Sequence, residues 1–313
     1  MMKRFGFLLL DGHALMSTAA ALEPLRAANL FSREPLYDVR ILSVEEPVAR
    51  ASVGARFDTV PIAEAGFAFD LVFVVAGGDP LERRTRSVAH WLRRLDREGV
   101  PLGGISGGAT ILAEAGLLQN RRFTVHWHHY ADVERLFPDL LLERRLFVID
   151  RDRYTCAGGS APLDMMHAII SREHGTSFAQ RISDWFIQTE VRRADAPQQA
   201  SIAARYGTLP APVLAAIELM ESHIADPLDA EQIASLSGLS TRQLQRQFSE
   251  SLGTSLMETY REIRLETARD LVRQSRLKLS EIALMTGFGT QAHFADSFRR
   301  HFGKPPSTLR RHP

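Results

Sequence analysis

Short apolar runs alternate with amphipathic segments from the N-terminus to about residue 190. The runs at 5–10 and 70–76 contain almost no polar residues, which is typical of strands buried on both faces of a parallel sheet. Further strands are predicted at 37–44 and 100–105. Helical patterns cover residues 14–30, 80–98 and 109–117. This alternation predicts a doubly wound α/β domain whose ligands bind beyond the carboxyl ends of the strands.

A helical pattern follows, and it contains one motif twice. The stretch Ile233–Gly238 recurs as Ile282–Gly287 at an offset of 49 residues, and Phe248 recurs as Phe298 at an offset of 50. Repetition at such a period indicates duplicated supersecondary units. A one-residue insertion within a turn accounts for the change of offset.

Each unit is predicted to be a helix-turn-helix. The first helices, at 230–236 and 279–285, end before Gly238 and Gly287, where a tight turn favours positive φ. The second helices begin at the predicted N-caps Ser240 and Thr290. The alternative is an all-α bundle with no role in DNA binding, because such turns also occur in bundles.

The residues of the second helix and the local charge favour DNA binding. The polar side chains of this helix in the first unit are Arg242, Gln243, Gln245, Arg246 and Gln247. Arg and Gln make bidentate contacts to guanine and adenine edges in the major groove. Residues 242–313 contain 13 Lys or Arg against 7 Asp or Glu, a local balance of +6, whereas the whole chain is only +1. Basic charge is therefore concentrated where phosphates would be neutralised.

These motifs together resemble the AraC/XylS DNA-binding domain. The resemblance rests on Ile-Ala-x-x-x-Gly-Leu-Ser, Leu-Gln-Arg-x-Phe, the second Ile-Ala-x-x-x-Gly-Phe and Phe-x-x-x-Phe-x-x-x-Phe-Gly-x-x-Pro. It implies two recognition helices in successive major-groove segments on one DNA face, about 34 Å apart. Arg242, Gln245 and Arg246 would read bases from the first helix, and Gln291 from the second. The residues expected to contact DNA are Ser240, Thr241, Arg242, Gln245, Arg246, Thr290, Gln291, His293, Arg299 and Arg300.

Two residues depart from the family pattern. Asp296 stands where the family commonly has Arg, so the second helix is expected to read few bases. Leu256 replaces a usual Pro, and a mild structural effect is expected.

Length and composition predict two domains in a cytoplasmic protein. With 313 residues and 45% hydrophobic residues, the chain is divided into a front domain (1–192), a polar linker bracketed by prolines (193–212) and an all-α domain (213–313). The single cysteine, Cys156, excludes an intramolecular disulfide and fits a reducing compartment. The first apolar run is too short for a signal peptide or a membrane span.

The segment from Gly104 to Gly108 follows a predicted strand and opens a helix. Its sequence, Gly-Ile-Ser-Gly-Gly, fits a nucleophile elbow, a sharp turn that exposes Ser106 beside free helix amides. This arrangement permits catalysis, but a serine nucleophile needs a positioned base. The predicted base is His126 or a histidine next to it.

The front domain is similar to the amidotransferase-like, PfpI-type domain of the GlxA-like branch of AraC regulators. The similarity rests on residues 70–78, the elbow, Thr124-x-His126-Trp127 and Thr155-Cys-Ala-Gly-Gly159. It implies a flavodoxin-like α/β fold. In catalytic relatives the elbow carries Cys, backed by a Glu on the first helix and a His downstream; Glu23 and His126 match these, but Ser106 replaces the Cys. Enzyme activity is therefore not expected; a hydrolase that uses Ser106 is the alternative.

A small acidic metabolite is the predicted ligand of this domain. The elbow amides would hold its carboxylate, and the resemblance is strongest to branch members that sense glycine betaine, carnitine or arginine-like amino acids. Trp127 could bind a quaternary ammonium group, with pocket and core positions equally favoured, whereas a core position is favoured for Trp185. The predicted ligand-binding residues are Glu23, Gly78, Ser106, Gly107, Gly108, His126, Trp127 and Gly159.

The expected function is that of a transcriptional activator of catabolic genes. Its expected partners are double-stranded operator DNA, the small effector, a second copy of the chain in a homodimer, and RNA polymerase. No cofactor is expected. Neither is a metal, because the adjacent His126, His128 and His129 cannot all converge on one ion without further ligands.

Overall fold

The structure is a computed structural model that describes residues 2–78, 86–198, 209–274 and 277–309. It divides into two compact units, Met1–Gln199 and Ala200–Pro313, called here the front unit and the rear unit. The division falls inside the predicted linker, of which residues 199–208 lie outside the described residues.

The front unit is built on a seven-stranded sheet with the strand order β10-β11-β7-β6-β1-β2-β5. Neighbouring strands run parallel except β10 and β11. The strands, including those of two small accessory sheets, are β1 (Lys3–Leu9), β2 (Tyr37–Ser43), β3 (Val48–Arg50), β4 (Arg56–Asp58), β5 (Val60–Pro61), β6 (Leu71–Ala76), β7 (Leu102–Ser106), β8 (Arg122–Phe123), β9 (Leu141–Leu142), β10 (Phe147–Asp150) and β11 (Arg153–Cys156).

Helices cover both faces of this sheet. They are α1 (Leu15–Phe31), α2 (Arg86–Arg97), α3 (Gly108–Glu114), α4 (Tyr130–Leu136), α5 (Ala161–His174) and α6 (Thr176–Trp185). The predicted helix at 80–98 lies partly outside the described residues, since 79–85 are not described.

The side chains of β1 alternate between two cores. Phe5 and Phe7 pack with residues of α1, α5 and α6 on one face, whereas Leu8 packs with residues of α2 and α3 on the other. All six residues of β6 are buried. A strand covered on both faces must be apolar throughout, which is why these runs are visible in the sequence. The predicted doubly wound α/β class is confirmed.

Strand β11 does not follow the apolar pattern. It begins with Arg153, whose side chain is almost fully buried because its guanidinium donates to Leu117 O at 2.8 Å and to the Asp152 carboxylate at 2.9 Å. A carbonyl 36 residues away and the adjacent carboxylate thus satisfy the buried guanidinium and make this polar strand compatible with the sheet.

Trp185 does not lie in the core, contrary to the favoured expectation. Its side chain is 51% exposed, and its ring meets the edge of Phe31 at a centroid distance of 5.5 Å. Ile182, one turn earlier, is buried. Trp185 is the last residue of α6, so the helical spacing that suggested burial ends where the core ends.

The rear unit is helical. Its helices are α7 (Ala211–Ser222), α8 (Ala230–Leu236), α9 (Thr241–Leu252), α10 (Leu256–Gln274), α11 (Leu279–Met285) and α12 (Gln291–Phe302). Both predicted first helices, α8 and α11, agree with the structure residue for residue. Gly238 and Gly287 have φ values of +74° and +70°, and the hydroxyls of Ser240 and Thr290 accept backbone N–H groups three residues on. The two predicted helix-turn-helix units are therefore present.

The long helix α10 joins the two units of the repeat. Leu256 and Tyr260 belong to the core around α8 and α9, while Leu265 belongs to the core around α11 and α12. Between these cores Arg264 donates from Nε to Thr286 O at 2.8 Å and from Nη2 to Gly287 O at 2.6 Å. Within the described residues, no helix combines the length and apolarity that crossing a membrane requires.

Candidate functional site

Ser106 ends β7 and begins the turn into α3. Its φ of +57° lies in the left-handed region, which residues other than glycine rarely adopt. The turn is tightly packed: a Cβ on Gly104 would lie 2.5 Å from Ala109 Cα, and a Cβ on Gly158 would lie 2.6 Å from the Cβ of Ser106. The strand-turn-helix geometry of an elbow is therefore present, and close backbone packing holds it.

This edge of the sheet carries hydrogen-bonding groups without partners. Among the described residues, nothing hydrogen-bonds to the Ser106 hydroxyl, and the buried Thr110 Oγ1 also lacks a partner. Gly107 N already donates to Ala76 O at 3.3 Å. The amide of Gly108 precedes the first hydrogen bond of α3, as the first amides of any helix do. A polar ligand could use the Ser106 hydroxyl and this amide, whereas Thr110 Oγ1 is enclosed.

Ser17, rather than Glu23, is the α1 residue that the structure brings toward the elbow. Ser17 Oγ accepts a hydrogen bond from Gly159 N at 2.8 Å, and the residue before Gly159 packs against Ser106. Glu23 lies six residues further along, about 9 Å along the helix axis and about 120° around it. Its carboxylate binds Arg26 at 2.5 Å. The structure thus does not bring Glu23 and Ser106 together.

Gly78 and Gly159 both require glycine for conformational reasons. Their φ values are +67° and +59°, a region in which a side chain is strained. Among the described residues, a Cβ on either glycine would have no neighbour within 4 Å. The requirement for glycine at both positions therefore comes from the backbone conformation.

His126 lies on a segment fastened beside β11. Thr124 N donates to Thr155 Oγ1 at 2.9 Å, and β11 is the neighbour of β7. His126 Nδ1 accepts from His128 N at 3.2 Å, and burial lowers the pKa of His126 to about 4. No hydrogen bond joins His126 to Ser106 in the described part of the chain.

Neither Ser106 nor Cys156 has the surroundings that activate a nucleophile. Within the described ranges, no base is hydrogen-bonded to the Ser106 hydroxyl, whereas serine nucleophiles depend on one. Cys156 is fully buried, and burial raises the pKa of its thiol to about 12. The thiol therefore stays protonated at neutral pH and is unreactive.

Trp127 lies outside the core, with a side chain that is 38% exposed. Its ring is 5.3 Å from the His126 ring, and its backbone N–H donates to Gln198 Oε1 at 2.6 Å. Gln198 Nε2 in turn donates to Val125 O at 2.9 Å and Arg145 O at 2.6 Å. Gln198, from the predicted linker, thus fastens the segment that carries His126 and Trp127. No sequence motif marks this glutamine.

Three neighbouring histidines form a cluster in which two are uncharged. The ring centroids of His126, His128 and His129 lie 5.4 to 6.5 Å apart, and burial lowers the pKa of His129 to about 3. His126 and His129 are therefore neutral at pH 7. The described residues contain no group of three or more His, Cys, Asp or Glu side chains that could hold a metal ion.

His13 fixes the turn between β1 and α1. Thr18 Oγ1 donates to Ala14 O at 2.9 Å, so it must accept from His13 Nδ1 at 2.7 Å. Burial lowers the pKa of His13 to about 4, and the unprotonated Nε2 is buried without a donor. A Cβ on Gly77 would lie 3.2 Å from His13 C, so this turn packs against the segment that follows β6.

The outer face of α9 carries most of the predicted DNA-binding side chains of the first unit. Leu244 is fully buried, while Arg242 and Arg246 are exposed on the opposite side of the helix. Gln245 is different, because its Oε1 accepts from Leu256 N at 3.2 Å and so caps α10. Only the amide group of Gln245 remains for a base.

In the second unit the hydroxyl of Thr290 caps α12, and Gln291 and His293 are exposed at its start. Arg299 and Arg300 are also exposed, and both pair with Asp296 on the same helix. The two basic residues predicted to contact DNA from this unit therefore share one ion-pair partner, the Asp296 carboxylate.

Comparison with protein families and curated proteins agrees with this division. Residues 12–172 match the DJ-1/PfpI family, and residues 233–312 match a helix-turn-helix domain. The chain is 47% identical over 310 residues to HTH-type transcriptional regulator GlxA of Rhizobium meliloti, covering 99% of this chain and 96% of that protein. It is 38% identical over 307 residues to HTH-type transcriptional regulator CdhR of Pseudomonas aeruginosa, covering 98% and 91%.

Among solved structures, the chain is similar to the crystal structure of an AraC family transcriptional regulator from Pseudomonas putida. The TM-score is 0.53 at 24% identity, and the likeness covers 59% of this chain and 99% of that chain. At this identity the likeness concerns the fold alone.

Proposed function

This chain belongs to the family of HTH-type transcriptional regulators in which a DJ-1/PfpI domain precedes an AraC-type helix-turn-helix domain, and we propose that it is an activator of catabolic genes that senses a small carboxylate metabolite. The metabolite binds at the Ser106 elbow of the front unit. The rear unit binds operator DNA through α9 and α12.

The observation that carries this proposal is the state of the elbow. Ser106 occupies a strained turn, but no base among the described side chains binds its hydroxyl, and the thiol of Cys156 is buried with a raised pKa. A site with hydrogen-bonding groups and no activated nucleophile supports binding rather than turnover. The elbow therefore serves as a recognition site, and the chain is not a hydrolase.

The surroundings of the elbow favour a zwitterion with a cationic end. The Ser106 hydroxyl and the Gly108 amide offer donors to a carboxylate. Trp127 is partly exposed on a segment whose His126 and His129 are uncharged at pH 7. Because no positive charge arises from these two imidazoles, an aromatic face there can attract a quaternary ammonium or an amino acid ammonium group.

The proposed activator also forms a homodimer and contacts RNA polymerase. A homodimer would place two rear units on repeated half-sites, and each rear unit contains two recognition helices. The effector acts by stabilising one arrangement of the chain over another, which requires a difference in its affinity for the two.

A ligand screen on the full-length protein tests the sensor function. Thermal unfolding is measured with betaine, carnitine, dimethylglycine, choline, arginine and related amino acids, and nuclear magnetic resonance follows whether each compound is consumed. An effector at a hundred times its dissociation constant stabilises the folded state by about 2.7 kcal/mol. We expect one member of the panel to raise the melting temperature without being consumed.

Ser106→Ala is the control for the site. We expect the variant to melt like the parent without ligand and to lose most of the ligand-induced shift. Turnover of the stabilising compound that Ser106→Ala abolishes would establish the hydrolase instead. A panel in which nothing stabilises the protein would contradict the proposed ligand class.

A further inference from the structure

The internal repeat puts the two recognition helices in register. At the offset of 50 residues, α9 residues correspond to α12 residues as follows: Arg242 to Ala292, Leu244 to Phe294, Arg246 to Asp296, Phe248 to Phe298 and Glu250 to Arg300. The apolar anchors are kept. The two exposed arginines of α9 correspond to an alanine and an aspartate on α12.

One ion pair recurs in both helices with its charges exchanged. Arg246 Nε lies 3.7 Å from Glu250 Oε1 in α9. In α12, Asp296 pairs with Arg300 and also lies 3.1 Å from Arg299 Nη2. The hydrogen bond from Arg300, followed by that from Arg299, lowers the pKa of Asp296, so its carboxylate is ionised at neutral pH.

Asp296 occupies the outward face of α12. It lies two residues from each of the fully buried Phe294 and Phe298, which places it about 200° around the helix from Phe294. Its side chain is 35% exposed. Arg246 holds the same position relative to Leu244 and Phe248. Whatever contact Arg246 makes from α9, Asp296 is placed to make the corresponding contact from α12.

An ionised carboxylate distinguishes base edges because it can accept hydrogen bonds but cannot donate them. Asp can only accept hydrogen bonds when ionised, and in the major groove guanine presents two acceptors and thymine one, whereas cytosine presents the N4 amino donor. Adenine also has an amino donor, but its N7 acceptor lies beside it and repels the second carboxylate oxygen. Cytosine is therefore the base that suits this side chain.

The two arginines that pair with Asp296 make its carboxylate compatible with DNA. A negative side chain is repelled by the phosphate backbone, but Arg299 and Arg300 have side chains that are 64% and 77% exposed and can neutralise phosphates at the same time. The two arginines thus hold the Asp296 carboxylate in place and offset its negative charge.

We propose that Asp296 is a specificity-determining residue of the second helix-turn-helix unit and selects a cytosine in the half of the DNA site that α12 contacts. The inference rests on the DNA-binding function given above. It replaces the expectation that this helix reads few bases with a defined base preference. The first unit uses Arg246 to attract a guanine, and the second uses Asp296 to reject guanine and thymine.

Selection from a pool of randomised duplex DNA tests the inference. Full-length parent, Asp296→Asn and Arg246→Gln proteins are used under one salt concentration, and the bound DNA is sequenced. In the parent we expect one position to favour cytosine by about tenfold or more over the other bases. With Asp296→Asn that position should change to adenine, because an amide pairs with adenine N6 and N7. Arg246→Gln is the matched control and should alter a position in the other half only.

The outcomes separate this inference from the DNA-binding function. If the parent enriches no sequence, DNA reading itself fails. If Asp296→Asn selects the parent's sequence unchanged while Arg246→Gln does not, only the role of Asp296 fails. A uniform gain in affinity of Asp296→Asn for all sequences would also overturn it, because the carboxylate would then act through charge alone. For each variant, retained selection in the half of the DNA site that the other helix contacts shows that the protein is folded.

Discussion

At the scale of single residues, Ser106 combines backbone strain with an unused side chain. A residue other than glycine in the left-handed region costs about 1–3 kcal/mol, and its hydroxyl has no partner among the described residues to offset that cost. The close packing of Gly158 against its Cβ shows what holds the conformation. A strained residue that packing holds in place, and whose polar group is left unused, is typical of a functional site.

Replacing Ser106 by glycine and by alanine separates strain from hydroxyl chemistry. Ser106→Gly should raise the free energy of unfolding by about 1 kcal/mol, because relief of strain exceeds the added entropy of the unfolded chain. Ser106→Ala keeps the strain and should leave stability within about 0.5 kcal/mol of the parent. Both should weaken effector binding equally. The checks are denaturant unfolding and effector titration, and a glycine variant less stable than the alanine variant would contradict the strain.

At the scale of elements, the turns of the two helix-turn-helix units have the same backbone conformation but different surroundings. Gly238 and Gly287 have nearly the same positive φ. A Cβ on Gly238 would meet none of the described atoms within 4 Å, whereas one on Gly287 would lie 2.7 Å from Ile224 O and 2.8 Å from Pro227 Cδ. The first glycine is therefore required by conformation, and the second by conformation and space.

Alanine at these two positions should destabilise the rear unit to different extents. Gly238→Ala should cost about 1–2 kcal/mol from the left-handed conformation alone. Gly287→Ala should cost roughly a further 1–3 kcal/mol, because rigid backbone and a proline ring cannot move aside. Urea unfolding of the full chain, followed by helical circular dichroism, measures both. Equal losses would show that the second turn can relax around a methyl group.

At the scale of the whole molecule, the last residues of the front unit are tied to its candidate effector site. The buried Asp164 accepts from Arg192 N at 2.8 Å and from Gln188 Nε2 at 2.9 Å. Gln198 then binds the segment that contains Trp127. Gln198 is the last described residue before the gap at 199–208, and the rear unit follows in the sequence. A ligand that moves the Trp127 segment would therefore also move Gln198.

Gln198→Ala should uncouple effector binding from the DNA response. The variant loses the hydrogen bonds of Gln198 to Val125, Trp127 and Arg145. Because Gln198 is not itself a predicted ligand-binding or DNA-binding residue, we expect effector affinity and basal DNA affinity to remain within a few-fold of the parent. The effector-induced change in DNA affinity should fall by about fivefold or more, within the usual range of coupling energies. DNA titrations with and without the effector identified in the screen measure this.

The matched control is Arg193→Ala, which removes a highly exposed side chain paired only with Asp195 among the described residues. It should respond to effector like the parent. A Gln198→Ala protein with the full response, or an equal loss in Arg193→Ala, would exclude a specific role for Gln198.

The sequence by itself determined the features that depend on local periodicity. The apolar runs of β1 and β6 predict buried parallel strands because both faces of each strand are covered. The repeated Gly238 and Gly287 predict the two turns, because a tight turn requires a positive φ within a few residues of chain. The exposed Arg242 and Arg246 follow from the same helical period.

Only the tertiary structure decided which distant residues meet. Ser17 and Gly159, 142 residues apart, are joined by a hydrogen bond, and this contact, not the one expected for Glu23, links α1 to the elbow. Gln198 binds Trp127 across 71 residues, although it lies in a segment whose composition predicts a linker. Pairings of this kind depend on how strands and helices pack in three dimensions, and a serine or glutamine in the sequence carries no signal of its future partner.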